Sequence, residues 1–150
     1  MSIFRPAYNY NLRILVKKLI FAERIFKMKK IKILIVDDIY TNRLLLSELI
    51  KSLGHHPVLA QNGKEAIDFL KNDNYDLVLM DIEMPVMNGL ETTRFIRNDF
   101  PSPKNQVTIV ALTAHNPTMF FNDFGDAGFD ELITKPYSLN KIVEVINNLT

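Results

Sequence analysis

The chain has 150 residues, 47% of them apolar and 23% charged, the proportions of a globular unit long enough to bury a core without covalent staples. It contains no cysteine, which excludes disulfides, zinc–thiolate centres, iron–sulfur clusters and thiol nucleophiles, and fits a reducing cytoplasm. The formal charge of +1 conceals an asymmetry: residues 1–30 carry eight Lys or Arg against Glu23, a balance of +7, whereas residues 31–150 carry ten bases against sixteen acids, a balance of −6.

Residues 1–29 read as a basic N-terminal extension, helical or disordered, and residues 30–150 as the folded domain. Leu12, Leu15, Leu19, Ala22 and Phe26 recur at helical spacing and would form one face of a basic amphipathic helix. The longest apolar run, residues 19–22, falls far short of the roughly 20 residues needed to cross a bilayer. No apolar segment with a small-residue cleavage site follows the charges, so a secretory signal is not expected. The favoured reading is that this extension adds nothing to the folded domain, so that deleting residues 1–27 leaves folding intact; a helix that docks on a partner comes second, and contact of residues 11–26 with a membrane surface last. The bases lack interleaved aromatics and a recognition motif, so no nucleic-acid-binding domain is expected.

From Ile31 onward, short β-branched runs alternate with amphipathic stretches. Strands are predicted over 31–36, 56–60, 76–80, 107–112 and 131–134. Helices are predicted from a Thr41 N-cap to residue 53 with Gly54 as terminator, over 63–71, 89–98 and 117–127, and from a Ser138 cap to residue 148. In the helix over 117–127, Phe120 and Phe124 share one face, which leaves Phe121 exposed. Five such βα units imply a parallel sheet covered by helices on both faces. Ligands of such sheets sit outside the carboxyl ends of the strands.

Those ends deliver Asp37 and Asp38 from the first strand, Asp81 from the third, Thr113 from the fourth and Lys135 from the fifth. Singly, each has a plain explanation: an aspartate after a strand forms turns, a lysine is solvated, a threonine ends a strand. Jointly they place three carboxylates, a hydroxyl and an ammonium at one rim. Carboxylates so clustered repel unless a cation joins them, and their hard oxygens suit Mg²⁺. A divalent ion, a lysine and a hydroxyl can neutralise and orient a phosphoryl group, while one aspartate is free to attack phosphorus.

The segments Ile35-Val36-Asp37-Asp38, Met80-Asp81-Ile82-Glu83-Met84-Pro85-Val86-Met87-Asn88-Gly89, Ala111-Leu112-Thr113-Ala114 and Thr134-Lys135-Pro136 resemble the receiver domain of two-component response regulators and hybrid histidine kinases. The resemblance covers about residues 30–149 in order. It implies a flavodoxin-like (βα)5 doubly wound α/β sandwich with a five-stranded parallel sheet of order 2-1-3-4-5.

By resemblance, Asp81 is the phosphoacceptor. Asp37, Asp38 and Asp81, with the main-chain carbonyl of Glu83, are the metal ligands, for Mg²⁺ or alternatively Mn²⁺. Thr113, Lys135 and Ala114 bind the phosphoryl group, Thr113 as a switch. Pro85, Gly89 and Pro136 shape the loops, Pro136 with a cis peptide bond. The resemblance further implies a cytoplasmic switch that is not a turnover enzyme. A histidine kinase or histidine phosphotransfer protein would phosphorylate it. Its unidentified downstream protein would read a rearrangement of the fourth receiver helix, fifth strand and fifth receiver helix.

No output motif follows Thr150, so output is expected through another protein, with Phe121 and Leu132 as candidate contact residues; a homodimer through that face stays open. Leu132 stands where the family commonly has an aromatic ring. Glu83 and His115 flank the site, where side chains in the family influence phosphoryl loss. Two alternatives compete: a phosphorylation-independent interaction module of receiver type, and a haloacid-dehalogenase-like phosphatase. The phosphatase would want an aspartate two residues after Asp81, where Glu83 stands, and a cap insertion that the sequence lacks.

Overall fold

Ile33 and Ile35 alternate with Leu34 and Val36, yet all four are fully buried, the signature of a strand covered on both sides. In the computed structural model, which describes residues 8–27 and 29–150 (side chains from 11–23 and 29–150), these residues form β1 (Lys32–Val36). The other strands are β2 (His56–Ala60), β3 (Leu77–Asp81), β4 (Thr108–Thr113) and β5 (Glu131–Thr134). All pairings are parallel, in the order β2-β1-β3-β4-β5. This is the flavodoxin-like topology that the resemblance implied.

The helices are α1 (Tyr8–Lys27), α2 (Tyr40–Ser52), α3 (Gly63–Asn72), α4 (Gly89–Asp99), α5 (Pro117–Phe124) and α6 (Leu139–Asn148). The period of two along the strands sorts the core into layers. Ile33, Ile35, Leu77 and Leu79 pack with Leu46 and Ile50 of α2 and Ile142 and Ile146 of α6. Leu34, Val36, Val78 and Met80 pack with Ala66 and Leu70 of α3 and Ile96 of α4. Phe120 of α5 is fully buried against Ile82 and Ala111, with Phe124 and Leu132 at the margin.

Residues 11–23 of α1 are exposed throughout, including Leu12, Leu15 and Leu19. The expected amphipathic helix therefore forms without burying its described apolar face. Phe26, the last member of that face, and Met28 lie outside the described residues or side chains. No helix of the described residues is long and apolar enough to cross a membrane.

Helix starts follow local chemistry in three cases. Asn62 accepts from the Glu65 amide, Asn88 and Glu91 form a reciprocal capping box, and Asn116 accepts from the Thr118 amide. Two expected caps differ. Thr41 is not the N-cap of α2: the helix begins two residues earlier than that cap implies, with Ile39 at the cap, because the Asp37 carboxylate takes the Ile39 N–H at 2.8 Å and turns the chain first. Ser138 occupies the cap position of α6 without a side-chain cap bond; its carbonyl takes the Lys141 and Ile142 amides instead.

β3 and β4 each sit one residue later than predicted, so Asp81 and Thr113 belong to the ladder itself. Asp76 is released to receive the Lys32 amide on its carboxylate at 2.8 Å. The predicted helix over 117–127 is α5 followed by a 3-10 turn from Gly125 to Ala127. Phe121 is exposed on it, as the spacing predicts.

His55, just before β2, is buried, with Nδ1 taking the Ile31 N–H at 3.4 Å and no partner for Nε2. Burial, and then the neighbouring His56, hold its pKa below the ordinary imidazole value. The unfolded chain therefore binds a proton at His55 before the folded one does. Stability is present above the unfolded pKa and is lost as pH falls through about 6.5 toward the lower folded value. Denaturant midpoints of wild type and His55→Phe, measured between pH 7 and 5, are expected to show a fall in wild type that the variant lacks. Parallel pH curves would remove His55 as the cause.

Candidate functional site: an acidic rim with one lysine

The parallel register brings the strand ends together. β3 and β4 pair Asp81 with Leu112, and β4 and β5 pair Thr113 with Thr134, while Asp37 and Lys135 follow β1 and β5 directly. Oxygens of Asp37, Asp38 and Asp81 all lie within 4.8 Å of one another, which fits the hard-oxygen, few-donor site of a divalent cation. Asp37 and Asp81 are buried and Asp38 is exposed, so the cluster has two anchored carboxylates and one facing solvent.

Lys135 Nζ joins the buried pair, at 2.8 Å from Asp81 Oδ1 and 3.4 Å from Asp37 Oδ2. The two sides of this pair respond differently. Burial weakens the charged form of Lys135, but its hydrogen bond to Asp81 and the charges of Asp37 and Asp81 outweigh that and raise its pKa. The Asp81 carboxyl is also held above the usual range, first by burial and then by Asp37, despite Lys135 and the Glu83 amide. Lys135 is therefore a firm ammonium beside a carboxylate that gains from further positive charge.

Asp37 is more heavily held than its place after a strand suggested. Besides the Ile39 amide and Lys135, it receives Asn42 Nδ2 at 3.1–3.2 Å on both oxygens and the Tyr137 hydroxyl at 3.0 Å on Oδ2. Arg43 Nη1 donates to the Asp37 carbonyl at 2.5 Å. Burial, followed by the Asp37 charge, pushes the Tyr137 phenol well above its usual range, so Tyr137 is a fixed donor. Sequence reasoning missed Asn42, Arg43 and Tyr137. The only available signal was position, with Asn42 and Arg43 in the first turn of α2 and Tyr137 directly after Lys135-Pro136.

The Lys135–Pro136 peptide is cis, as expected, and so is Ser102–Pro103, which was not anticipated. Ala114 is exposed immediately after Thr113. Gly89 shapes the β3–α4 loop by absence of a side chain: a Cβ there would lie 2.2 Å from the Asp81 carbonyl oxygen and 2.9 Å from Ile82 Cα. Pro85 is exposed in the same loop, followed by Val86 at φ +73°, an unfavourable backbone for a β-branched residue. Glu83 is exposed in that loop, with Oε1 4.0 Å from His115 Nδ1.

Thr113 is buried, and its Oγ1 lies 2.8 Å from His115 Nδ1 and 3.0 Å from the His115 amide. Phe121 and Leu132 meet across a groove of about 420 Å³ that Pro117, Pro136, Ser138 and Lys141 also line. The arrangement can hold a cation, neutralise an anion with Lys135 and present the Asp81 carboxylate to an electrophile.

The sequence profile of the response regulator receiver domain matches residues 33–147. The chain belongs to that family. Its relatives include the two-component response regulator 24 of Arabidopsis thaliana, 32% identical over 121 residues, with 80% of this chain and 84% of that one covered. Hybrid signal transduction histidine kinase I of Dictyostelium discoideum is 36% identical over 121 residues, which are 77% of this chain and only 7% of the kinase. Among solved structures, the response regulator protein TrrA of Thermotoga maritima, crystallised in complex with Mg²⁺-BeF, is 34% identical with a TM-score of 0.70, covering 81% of this chain and 100% of that one.

Proposed function

We propose that this protein is a phosphorylation-controlled switch whose receiver unit, residues 30–150, accepts a phosphoryl group on Asp81. The observation that carries this reading is Lys135 Nζ at 2.8 Å from Asp81 Oδ1, inside a cluster of three carboxylates whose oxygens lie within 4.8 Å. An Asp81 carboxylate oxygen attacks phosphorus of a phosphohistidine on a kinase or phosphotransfer protein. The new P–O bond forms as the P–N bond breaks, and the imidazole leaves carrying the electron pair and then a proton. Lys135 holds one phosphoryl oxygen, and Thr113, once its hydroxyl leaves His115, holds another together with the Ala114 amide.

Asp37, Asp38, Asp81 and the Glu83 main-chain carbonyl would hold Mg²⁺, which when bound offsets the negative charge of the incoming group. Asn42 and Tyr137 keep Asp37 in place during this exchange. The α5, β5 and α6 surface, with its groove between Phe121 and Leu132, is then the face that a partner reads, and output is partner binding or onward relay.

Intact mass after incubation with acetyl phosphate and Mg²⁺ tests this. One phosphoryl adduct is expected in wild type, dependent on Mg²⁺ and absent from Asp81→Asn. The absence of both an adduct and a beryllofluoride complex in wild type would overturn the reading in favour of a phosphorylation-independent interaction module. Release of phosphate from a generic phosphate ester would favour a phosphatase.

A further inference from the structure

We propose that His115 is a positioning residue that holds the Thr113 hydroxyl away from the phosphoryl site, so that it competes directly with the phosphoryl group for one proton. The inference rests on the function proposed above and concerns how strongly this chain is biased toward its unphosphorylated state. Thr113 Oγ1 accepts the His115 backbone N–H at 3.0 Å. His115 Nδ1 lies 2.8 Å from the same oxygen. A hydroxyl has a single hydrogen to donate. The amide takes one lone pair of that oxygen, and in the tautomer proposed for His115, with Nδ1 unprotonated, the hydroxyl hydrogen goes to Nδ1.

The ring is held for this task. Its edge stands against Phe124 of α5, with ring centres 6.3 Å apart and planes at 82°, and Phe124 packs in turn on the buried Phe120. His115 and Phe124 also line a hollow of about 440 Å³ with Glu83, Met84 and Leu90, so the imidazole has somewhere to swing when Thr113 releases it. For Thr113 to donate to a phosphoryl oxygen, the bond to Nδ1 must break. His115 thus taxes the switched state by one hydrogen bond, and the hydroxyl, the imidazole and Phe124 of α5 form one mechanical chain from the site to the partner face.

The test uses His115→Phe, which keeps a ring against Phe124 but deletes the acceptor, and His115→Asn, whose side-chain oxygen stands near the place of Nδ1. Each is also placed in a Thr113→Val background. Beryllofluoride binding in the presence of Mg²⁺ is followed by NMR, together with the Thr113 methyl resonance in the absence of beryllofluoride. His115→Phe is expected to tighten beryllofluoride binding about two- to tenfold, the range of one net hydrogen bond. It is also expected to move the free Thr113 methyl resonance toward its bound position. His115→Asn should restore wild-type behaviour, and His115→Phe should change nothing once Thr113 is valine. A general packing role for His115 would not produce that dependence on the hydroxyl.

Unchanged or weaker binding in a folded His115→Phe variant would overturn the proposal, as would an equal effect in the valine background. If His115→Phe does not fold, His115→Ala carries the same comparison. If wild-type protein binds no beryllofluoride and takes no phosphoryl group from acetyl phosphate, the underlying functional reading fails and this inference with it. If wild type binds and the variants do not differ, the failure is confined to His115.

Discussion

Gly89→Ala is expected to lower stability by about 3 kcal/mol or more, although it adds a single methyl group. The added carbon would lie 2.2 Å from the carbonyl oxygen of Asp81 and 3.0 Å from its carbonyl carbon. The obstruction is main chain of a central strand, held by the register with β1 and β4, so no side chain can rotate aside. Either α4 lifts and loses the Gly89 amide bond to the Ile82 carbonyl, at 2.9 Å, or the end of β3 shifts and carries Asp81 with it. Both routes damage the site as well as the fold. Thermal and denaturant melts should show a midpoint lowered by roughly 10 °C for this size of change, with slower labelling by acetyl phosphate in the fraction that remains folded. A midpoint within a degree or so of wild type would mean that the loop yields where the geometry says it cannot.

Lys135→Met should have the larger effect on chemistry. The substitution keeps the length of the side chain and removes the ammonium that lies 2.8 Å from Asp81 and 3.4 Å from Asp37. The two buried carboxylates then face each other without that cation, and the incoming phosphoryl group loses its fixed positive partner. A charge-assisted contact is worth about 1.5–3 kcal/mol, so the initial rate of adduct formation should fall by about 10- to 100-fold. The Asp81 carboxyl, already above its usual range, should rise further, since Lys135 is what lowers it. Carbon NMR of the aspartate carboxyl groups measures that rise directly. A labelling rate close to wild type would show that Lys135 serves a later step.

The five strands and their helices were legible because parallel strands are buried on both faces and therefore read as unbroken β-branched runs, as residues 31–36 do. The carboxyl-end rule then located Asp37, Asp38, Asp81, Thr113 and Lys135 without coordinates. Tertiary bonds overrode local preference elsewhere. Thr41 has the side chain of a cap, but the Asp37 carboxylate reached the Ile39 amide first. Asp76 looked like the first residue of a strand and instead receives the Lys32 amide from the neighbouring chain segment. Tyr137 was illegible for a plainer reason: its bond to Asp37 joins residues 100 positions apart, and no local pattern encodes it. His115 stood out as a flanking residue, but its bond to Thr113 depends on the ring rotamer that Phe124 supports.

Parallel order also decides where the folded unit can be joined to other things. Every strand runs toward the rim and every covering helix runs back from it. β1 therefore enters at Lys32 on the edge opposite Asp81, and α6, which leaves the rim after Ser138, finishes at Asn148 on that same far edge. Both ends of the unit emerge together, about a strand length away from the chemistry. A tether, a helix such as α1 or a whole further module can be attached there while the mouth around Asp81 stays open to solvent. The unit behaves as a cartridge, wired from behind and read from the front, which is how one such unit can match most of a small regulator and only 7% of a hybrid kinase.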